Sequence, residues 1–233
     1  MTDAAPVPSL RADLYSRVAA HWWLKFFGIS AFITVFFIAY FMLLRFPVFG
    51  VTPMPLTLVD RLVPFQPSTL VLYFSLWFYV ALPPTLLRTR AEFHAYGWVA
   101  GALAIAGLSI FFFWPTSIPA TTGIEWSAYP GFAMLKRVDA AQNACPSLHV
   151  AFAVFSGLWL DRVLRTMPVG ATVRVLNAAW CLGIVYSTIA TRQHVAVDVA
   201  AGAAFGLLVG LIRPAVLRWS GPRPAAPAAG GDR

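Results

Sequence analysis

The sequence predicts an all-α protein, a polytopic membrane bundle of about six transmembrane helices. Three observations predict it. Of the 233 residues, 59% are hydrophobic and only 11% charged, whereas a soluble domain carries about a quarter charged residues. The apolar residues gather into stretches of about 20, the length an α-helix needs to cross a bilayer. The few ionisable side chains crowd into the segments between those stretches.

Taken in order, the first span runs from Leu24 to Leu44. It lacks a small-residue cleavage site at its end and reads as a retained helix rather than a signal peptide. Before it, residues 1–23 place Leu14, Tyr15, Val18, Ala19, Trp22 and Trp23 at helical spacing among Arg11, Arg17 and Lys25. That pattern predicts a cytoplasmic amphipathic helix on the membrane surface, or else a simple extension of span one. A Pro-rich connection from Phe46 to Gln66 follows, expected to be re-entrant or interfacial. The later spans run from Thr69 to Leu87, Tyr96 to Trp114, Leu148 to Leu164, Val173 to Ile189 and Val195 to Ile212. The fifth is the least regular, because Arg174 and Asn177 stand near its start. Residues 24–213 therefore form one helical domain without internal repeats. Residues 214–233, rich in Pro, Ala and Gly, predict a disordered cytoplasmic tail.

The net charge of +8 does not point to nucleic acid. No basic run tracks a phosphate backbone, and the cations are scattered between apolar spans. They set orientation instead. With a cytoplasmic N-terminus, twelve of the 17 Lys and Arg residues fall on inner segments, and only Arg45, Arg61, Lys136, Arg137 and Arg192 on outer ones. The positive-inside rule thus puts both termini in the cytoplasm. It also puts the loops before spans four and six on one face, so His149 and His194 start their helices at the same side. Trp22, Trp98, Trp114 and Trp219 at span ends read as interfacial belt residues. Cys145 and Cys181 fall at different expected depths, so a disulfide is not predicted, and neither has metal-ligand spacing.

Ionisable residues at membrane depth are expensive and usually functional. His194 and Asp198 stand four apart, a separation that puts both on one helical face. A carboxylate accepting from one imidazole nitrogen fixes the tautomer and leaves the other nitrogen as nucleophile or general base. The plain alternative is a His–Asp pair that only ties two turns together; a metal site is disfavoured, since no further ligands recur nearby. Cys145-Pro146-Ser147-Leu148-His149 has the form of a helix start, with Ser147 as cap, free amides for an anion, and His149 one turn in as proton donor. Arg192 and Gln193 stand beside the candidate nucleophile, where a guanidinium fork suits phosphate oxygens. Lys136 and Arg137 could add positive field, and Asp139 and Asn143 could orient the helix start or, for Asn143, touch substrate. The chemistry that fits is phosphoryl transfer: His194 attacks phosphorus, His149 protonates the departing alkoxide and then activates an acceptor hydroxyl.

With these residues in view, the chain resembles the type 2 phosphatidic acid phosphatase superfamily. Pro146-Ser147-Leu148-His149 matches its Pro-Ser-x-x-His motif, and His194-Val195-Ala196-Val197-Asp198 matches the His-x-x-x-Asp core of its later motif. Within it, Thr191-Arg192-Gln193-His194, the Cys-Pro-Ser-Leu-His wording and Asp60-Arg61-Leu62-Val63-Pro64-Phe65-Gln66-Pro67 are similar to the inositol phosphorylceramide synthase-like branch. Pro115-Thr116 through Pro119, and Asp139 with Asn143, look similar to that branch's third loop. Two departures stand out: Ser187-Thr188 occupies the place of the usual Ser-Arg, and the upstream Lys followed seven places on by Arg-Pro is absent.

The resemblance implies a six-helix bundle that works without metal or other cofactor. It implies His194 as nucleophile, Asp198 as its partner, His149 as proton donor, and Ser147, Arg192, Gln193, Asn143 and Lys136 around the substrate. The expected partners are a lipid phosphate or phospholipid donor, an alcohol acceptor and the surrounding membrane lipids. A lipid phosphate phosphatase using water, or a non-catalytic transporter, remains open on the same residues. Phosphorus-containing product from a labelled phospholipid separates enzyme from transporter.

Overall fold

Apolar runs and prolines between them decide where this chain is helical. The computed structural model describes residues 9–120, 123–132, 135 and 142–212. Among these, the helices are α1 (Leu10–Ala19), α2 (Trp22–Arg45), α3 (Leu58–Leu62), α4 (Leu70–Tyr79), α5 (Leu82–Thr85), α6 (Arg90–Phe113), α7 (Leu148–Leu164), α8 (Ala171–Ala190) and α9 (Ala196–Gly210). Three of them, α2, α6 and α8, are long and apolar enough to cross a membrane. Helix α7 has 17 residues and α9 has 15. The only strands among the described residues are two short ones, β1 (Thr52–Pro53) and β2 (Thr116–Ser117), paired in parallel. Lys136, Arg137, Asp139 and the 214–233 tail lie outside the described residues.

The expected second span is broken. Pro83 and Pro84 lack amide hydrogens and crowd the preceding turn, so α4 stops at Tyr79 and α5 restarts at Leu82. The third element starts earlier than apolar periodicity suggests. Thr89 caps it, its hydroxyl accepting from the Glu92 amide while the Glu92 carboxylate accepts from the Thr89 amide. At the first helix, His21 takes a left-handed φ of 54° and separates α1 from α2, so the N-terminal segment is a helix of its own. Its Asp13 and Arg17 are buried against the protein, while Leu10, Tyr15 and Val18 are exposed.

The irregular fifth element owes its polar residues to packing. Asn177 donates to the Gly157 carbonyl at 3.0 Å and accepts from the Tyr79 hydroxyl at 2.7 Å. Arg174 pairs with Asp161 at 2.7 Å. A buried amide that meets its partners on two neighbouring helices costs little and fixes their register. Aromatic side chains fill the centre of the bundle, among them Tyr79, Phe111, Phe155 and Trp159, all buried.

Helices α7 and α9 approach most closely. A methyl group added at Gly202 would overlap the Ser147 carbonyl oxygen, and one at Gly206 the Ala151 carbonyl oxygen. Small residues at this spacing let two helix backbones meet, as membrane helices commonly do. The seam sets both histidine motifs side by side, and the Ser147 amide donates to the Asp198 carbonyl at 3.0 Å.

The connections sort to two ends. At one end lie β1, β2, α3, the 142–147 loop and the 191–195 turn, joined by Ser117 bridging Gln142 and by the Gln66 amide donating to the Ala190 carbonyl at 2.9 Å. At the other lie α1, the 80–90 segment and the end of α7, joined through Arg17, which donates to the Leu86 and Thr166 carbonyls at 3.3 and 3.1 Å. Both histidine motifs belong to the first end.

Candidate functional site

Local chemistry explains each motif's shape. Ser147 precedes α7 with extended backbone, and its hydroxyl accepts from the Val150 amide at 3.2 Å. Ser147 is therefore a buried cap, as its position before an apolar run predicts. Among the described residues the Leu148 and His149 amides have no acceptor, which leaves the α7 N-terminus free to meet an anion. Upstream, the buried Thr116 holds the approach: its hydroxyl accepts from the Cys145 amide at 2.8 Å. Asn143 sits at a left-handed φ of 56°, and its amide reaches the Tyr40 carbonyl at 3.5 Å.

His149 stands in the first turn of α7. Its ring stacks on Tyr73 of α4, with centroids 4.1 Å apart and planes 16° from parallel, and the edge of Trp77 closes on it at 6.4 Å. Its Nε2 is buried without a hydrogen-bond partner.

The second motif is not helical through its histidine. The chain turns at residues 191–194, with Arg192 at a left-handed φ of 57°, and α9 begins only at Ala196. His194 thus lies in the turn and Asp198 in the helix, so the four-residue spacing is not two positions on one helical face. The reason is a competing partner. One Asp198 oxygen accepts from the Val195 amide at 3.1 Å, capping α9. The same oxygen is 3.6 Å from His194 Nδ1, longer than a hydrogen bond. His194 Nδ1 and the other Asp198 oxygen are buried without partners.

The two histidines nevertheless meet. A cavity of about 490 Å³ lies between α2, α4 and α6, walled by aromatic side chains such as Phe36, Trp77 and Tyr96, and Asn143, His149 and His194 all line it. An apolar chamber with a few convergent polar groups has the character of an amphiphile site.

The remaining expected contacts lie elsewhere. Arg192 does not line the chamber; its guanidinium donates to the Asp60 carbonyl at 2.6 Å and the Val63 carbonyl at 2.8 Å. Gln193 is buried and donates to the Thr191 carbonyl at 3.0 Å. Lys136 lies outside the described residues. Cys145, beside the site, has its thiol pushed up to about 11 by burial first and by the Asp198 charge second. It stays protonated and is no nucleophile.

Sequence reasoning missed Tyr73 and Trp77, which seat His149, because aromatic residues in an apolar run look like any lipid-facing surface. It quoted Asp60 without a role, although Thr57-x-x-Asp60 before Leu58–Leu62 carries a legible capping signal.

Compared with known proteins, the chain matches no family model, no curated protein and no solved structure.

Proposed function

We propose that this chain is a polytopic membrane enzyme that moves a phosphate-containing group of a lipid, through a phosphohistidine on His194. What carries the reading is one arrangement: two imidazoles, with unpartnered polar atoms, at the end of an aromatic-walled chamber. Buried polar atoms without partners are rare and call for an explanation. A phosphate beside His149 Nε2 supplies one for that atom, and a hydrocarbon tail in the chamber supplies the other half.

In the proposed reaction His194 Nε2 attacks phosphorus and the bond from phosphorus to the leaving oxygen breaks. His149 delivers a proton to that oxygen. The Asp198 carboxylate, 3.6 Å from Nδ1, draws in as the imidazole gains positive charge; catalytic hydrogen bonds are often long before substrate binds. His149, now a base, then takes the proton of an acceptor hydroxyl as its oxygen attacks phosphorus and the phosphorus–nitrogen bond breaks. The amides at the start of α7 face the equatorial oxygens.

The resemblance of Cys145–His149 and Thr191–Asp198 to the phosphatidic acid phosphatase superfamily supports the same chemistry, and its inositol phosphorylceramide synthase-like form favours an alcohol over water as acceptor. We further propose six membrane crossings, both termini in the cytoplasm and the histidine end at the extracytoplasmic face. The distribution of Lys and Arg supports that orientation.

The test is direct. Protein purified into lipid nanodiscs is given phospholipids and lipid phosphates labelled at phosphorus, with and without inositol, glycerol or ceramide. Labelled product is expected, and His194→Ala is expected to lower turnover at least about a thousandfold. Label trapped on a residue other than His194, or no product from any of these lipids, refutes the reading.

A further inference from the structure

We infer that Asp60 is a positioning residue for His194, and that Arg192 works with it rather than on the substrate. The inference rests on His194 as the nucleophile of the proposed reaction. Its physical basis is the way one short helix grips both flanks of the nucleophile turn.

Asp60 is buried, with 3% of its surface exposed. One carboxylate oxygen accepts from the Thr57 amide at 2.7 Å and the Thr57 hydroxyl at 2.8 Å, which fixes the side chain within α3. The other accepts from the Ala196 amide at 2.8 Å, across 136 positions of sequence. The Asp60 carbonyl accepts from Arg192 at 2.6 Å and the Val63 carbonyl takes the second prong of the same guanidinium at 2.8 Å. Residues 192 and 196 are therefore both pinned to α3, and His194 lies midway between them. A turn with a left-handed non-glycine residue persists only where its surroundings impose it. Local main-chain bonds close the turn, the Arg192 amide donating to the Ile189 carbonyl at 3.0 Å and the Gln193 and His194 amides to the Thr188 carbonyl at 3.1 Å, while the two Arg192 side-chain bonds and the Ala196 bond tie it to α3. A nucleophile on a loop loses its aim when such supports go, because misplacement by an ångström costs orders of magnitude in rate.

Two carboxylates thus serve the start of α9. Asp198 caps the Val195 amide and Asp60 caps the Ala196 amide. The Val195 and Ala196 amides at the start of α9 thus both have carboxylate acceptors. Arg192, with both terminal nitrogens on carbonyls, acts on the phosphate only through the position it gives His194.

The experiment compares the full chain with Asp60→Ala, Asp60→Asn and Arg192→Lys in nanodiscs. Diethyl pyrocarbonate labelling of His194 is measured by mass spectrometry against the exposed His21 and His94 as internal references, beside kcat and KM on dioctanoyl phosphatidic acid. Asp60→Ala is expected to change His194 labelling at least fivefold, with kcat down at least tenfold and KM within threefold. Asp60→Asn should recover part of the wild-type values, since its amide oxygen still accepts from Ala196 while its amide nitrogen cannot accept from the Thr57 amide as the carboxylate does. Arg192→Lys keeps the charge but loses the fork, and is expected to fall between the two; it carries the test if Asp60→Ala does not fold. Labelling of His194 within twofold of wild type in both Asp60→Ala and Arg192→Lys overturns the inference, as does a rise in KM at constant kcat. Altered labelling in a chain that turns over no lipid phosphate leaves the positioning role standing and removes the proposed reaction instead.

Discussion

The two ends of this bundle both bury charge, and they do it in opposite ways. At the end holding α1, the buried ions Asp13, Arg17 and Lys25 are each answered. Arg17 pairs with Asp13 at 2.8 Å and donates to two carbonyls, Arg88 closes on the second Asp13 oxygen, and Lys25 donates to the Arg17 and Thr85 carbonyls at 2.5 and 2.8 Å. At the histidine end, His149 Nε2, His194 Nδ1 and one Asp198 oxygen have no partner. Satisfied buried charge fixes geometry, whereas unsatisfied buried polarity is a cost that folding alone does not require. The difference teaches where to look for chemistry: not where charge is densest, but where it is incomplete.

The sharpest way to break that comparison is at His149. If its unpartnered nitrogen serves proton transfer, His149→Ala should lower turnover of an alkyl phosphate by about a hundredfold to ten thousandfold. On a substrate with an acidic leaving group, such as a nitrophenyl ester, the loss should shrink to about tenfold or less, since that group departs unprotonated. Steady-state rates on the two substrates decide it. Equal losses on both would leave His149 as a packing residue seated on Tyr73.

The opposite end predicts the converse. Asp13→Ala strands Arg17 and Arg88 near a buried site and should cost about 3 kcal/mol of stability, read as a lowered thermal midpoint in detergent. Turnover per folded molecule should hardly change. A variant with normal stability and lost activity would mean that the two ends are coupled.

How much of this was legible in the sequence follows from which forces act locally. Caps and apolar periodicity are local, so the helices at 148–164 and 171–190 were predicted to within a few residues. The common end of the two histidines followed from the two expected spans between them, which return the chain to the side it left. The Thr69–Leu87 span, by contrast, was drawn through Pro83 and Pro84, where composition hid a break that proline geometry imposes. Helical spacing also misplaced His194, because the Val195 amide captures the Asp198 carboxylate first. Arg192 was read as a phosphate ligand, since nothing in its neighbours reveals that Asp60, 132 positions earlier, offers it a carbonyl. Long-range hydrogen bonds to main-chain atoms leave almost no trace in residue identity.

The comparison sharpens along the seam that joins the motifs. Gly206→Ala puts a methyl group into the Ala151 carbonyl, and α7 and α9 must separate. Overpacking of this kind costs about 1–3 kcal/mol, so the thermal midpoint should fall. Because the seam also carries the Ser147–Asp198 bond, activity should fall with it, unlike in Asp13→Ala. Loss of stability at full specific activity would show that the motifs are aligned by the loops and not by the helices.

The smallest effect belongs to Cys145, which lies between the two motifs yet should be inert. Its thiol is raised to about 11, and for a thiol the raised value means that the thiolate, the reactive form, is absent until the pH approaches it. At pH 8, about three units below, roughly one molecule in a thousand carries thiolate, and burial excludes the reagent besides. Maleimide labelling of the folded protein, followed by mass spectrometry, should therefore leave Cys145 unmodified at pH 8 and should not impair turnover. Labelling should appear only once denaturant exposes the loop. Rapid modification of Cys145 in the native protein would mean that the 142–147 segment opens in solution. The incomplete polarity at this end would then belong to a mobile loop rather than to a site built around a phosphate.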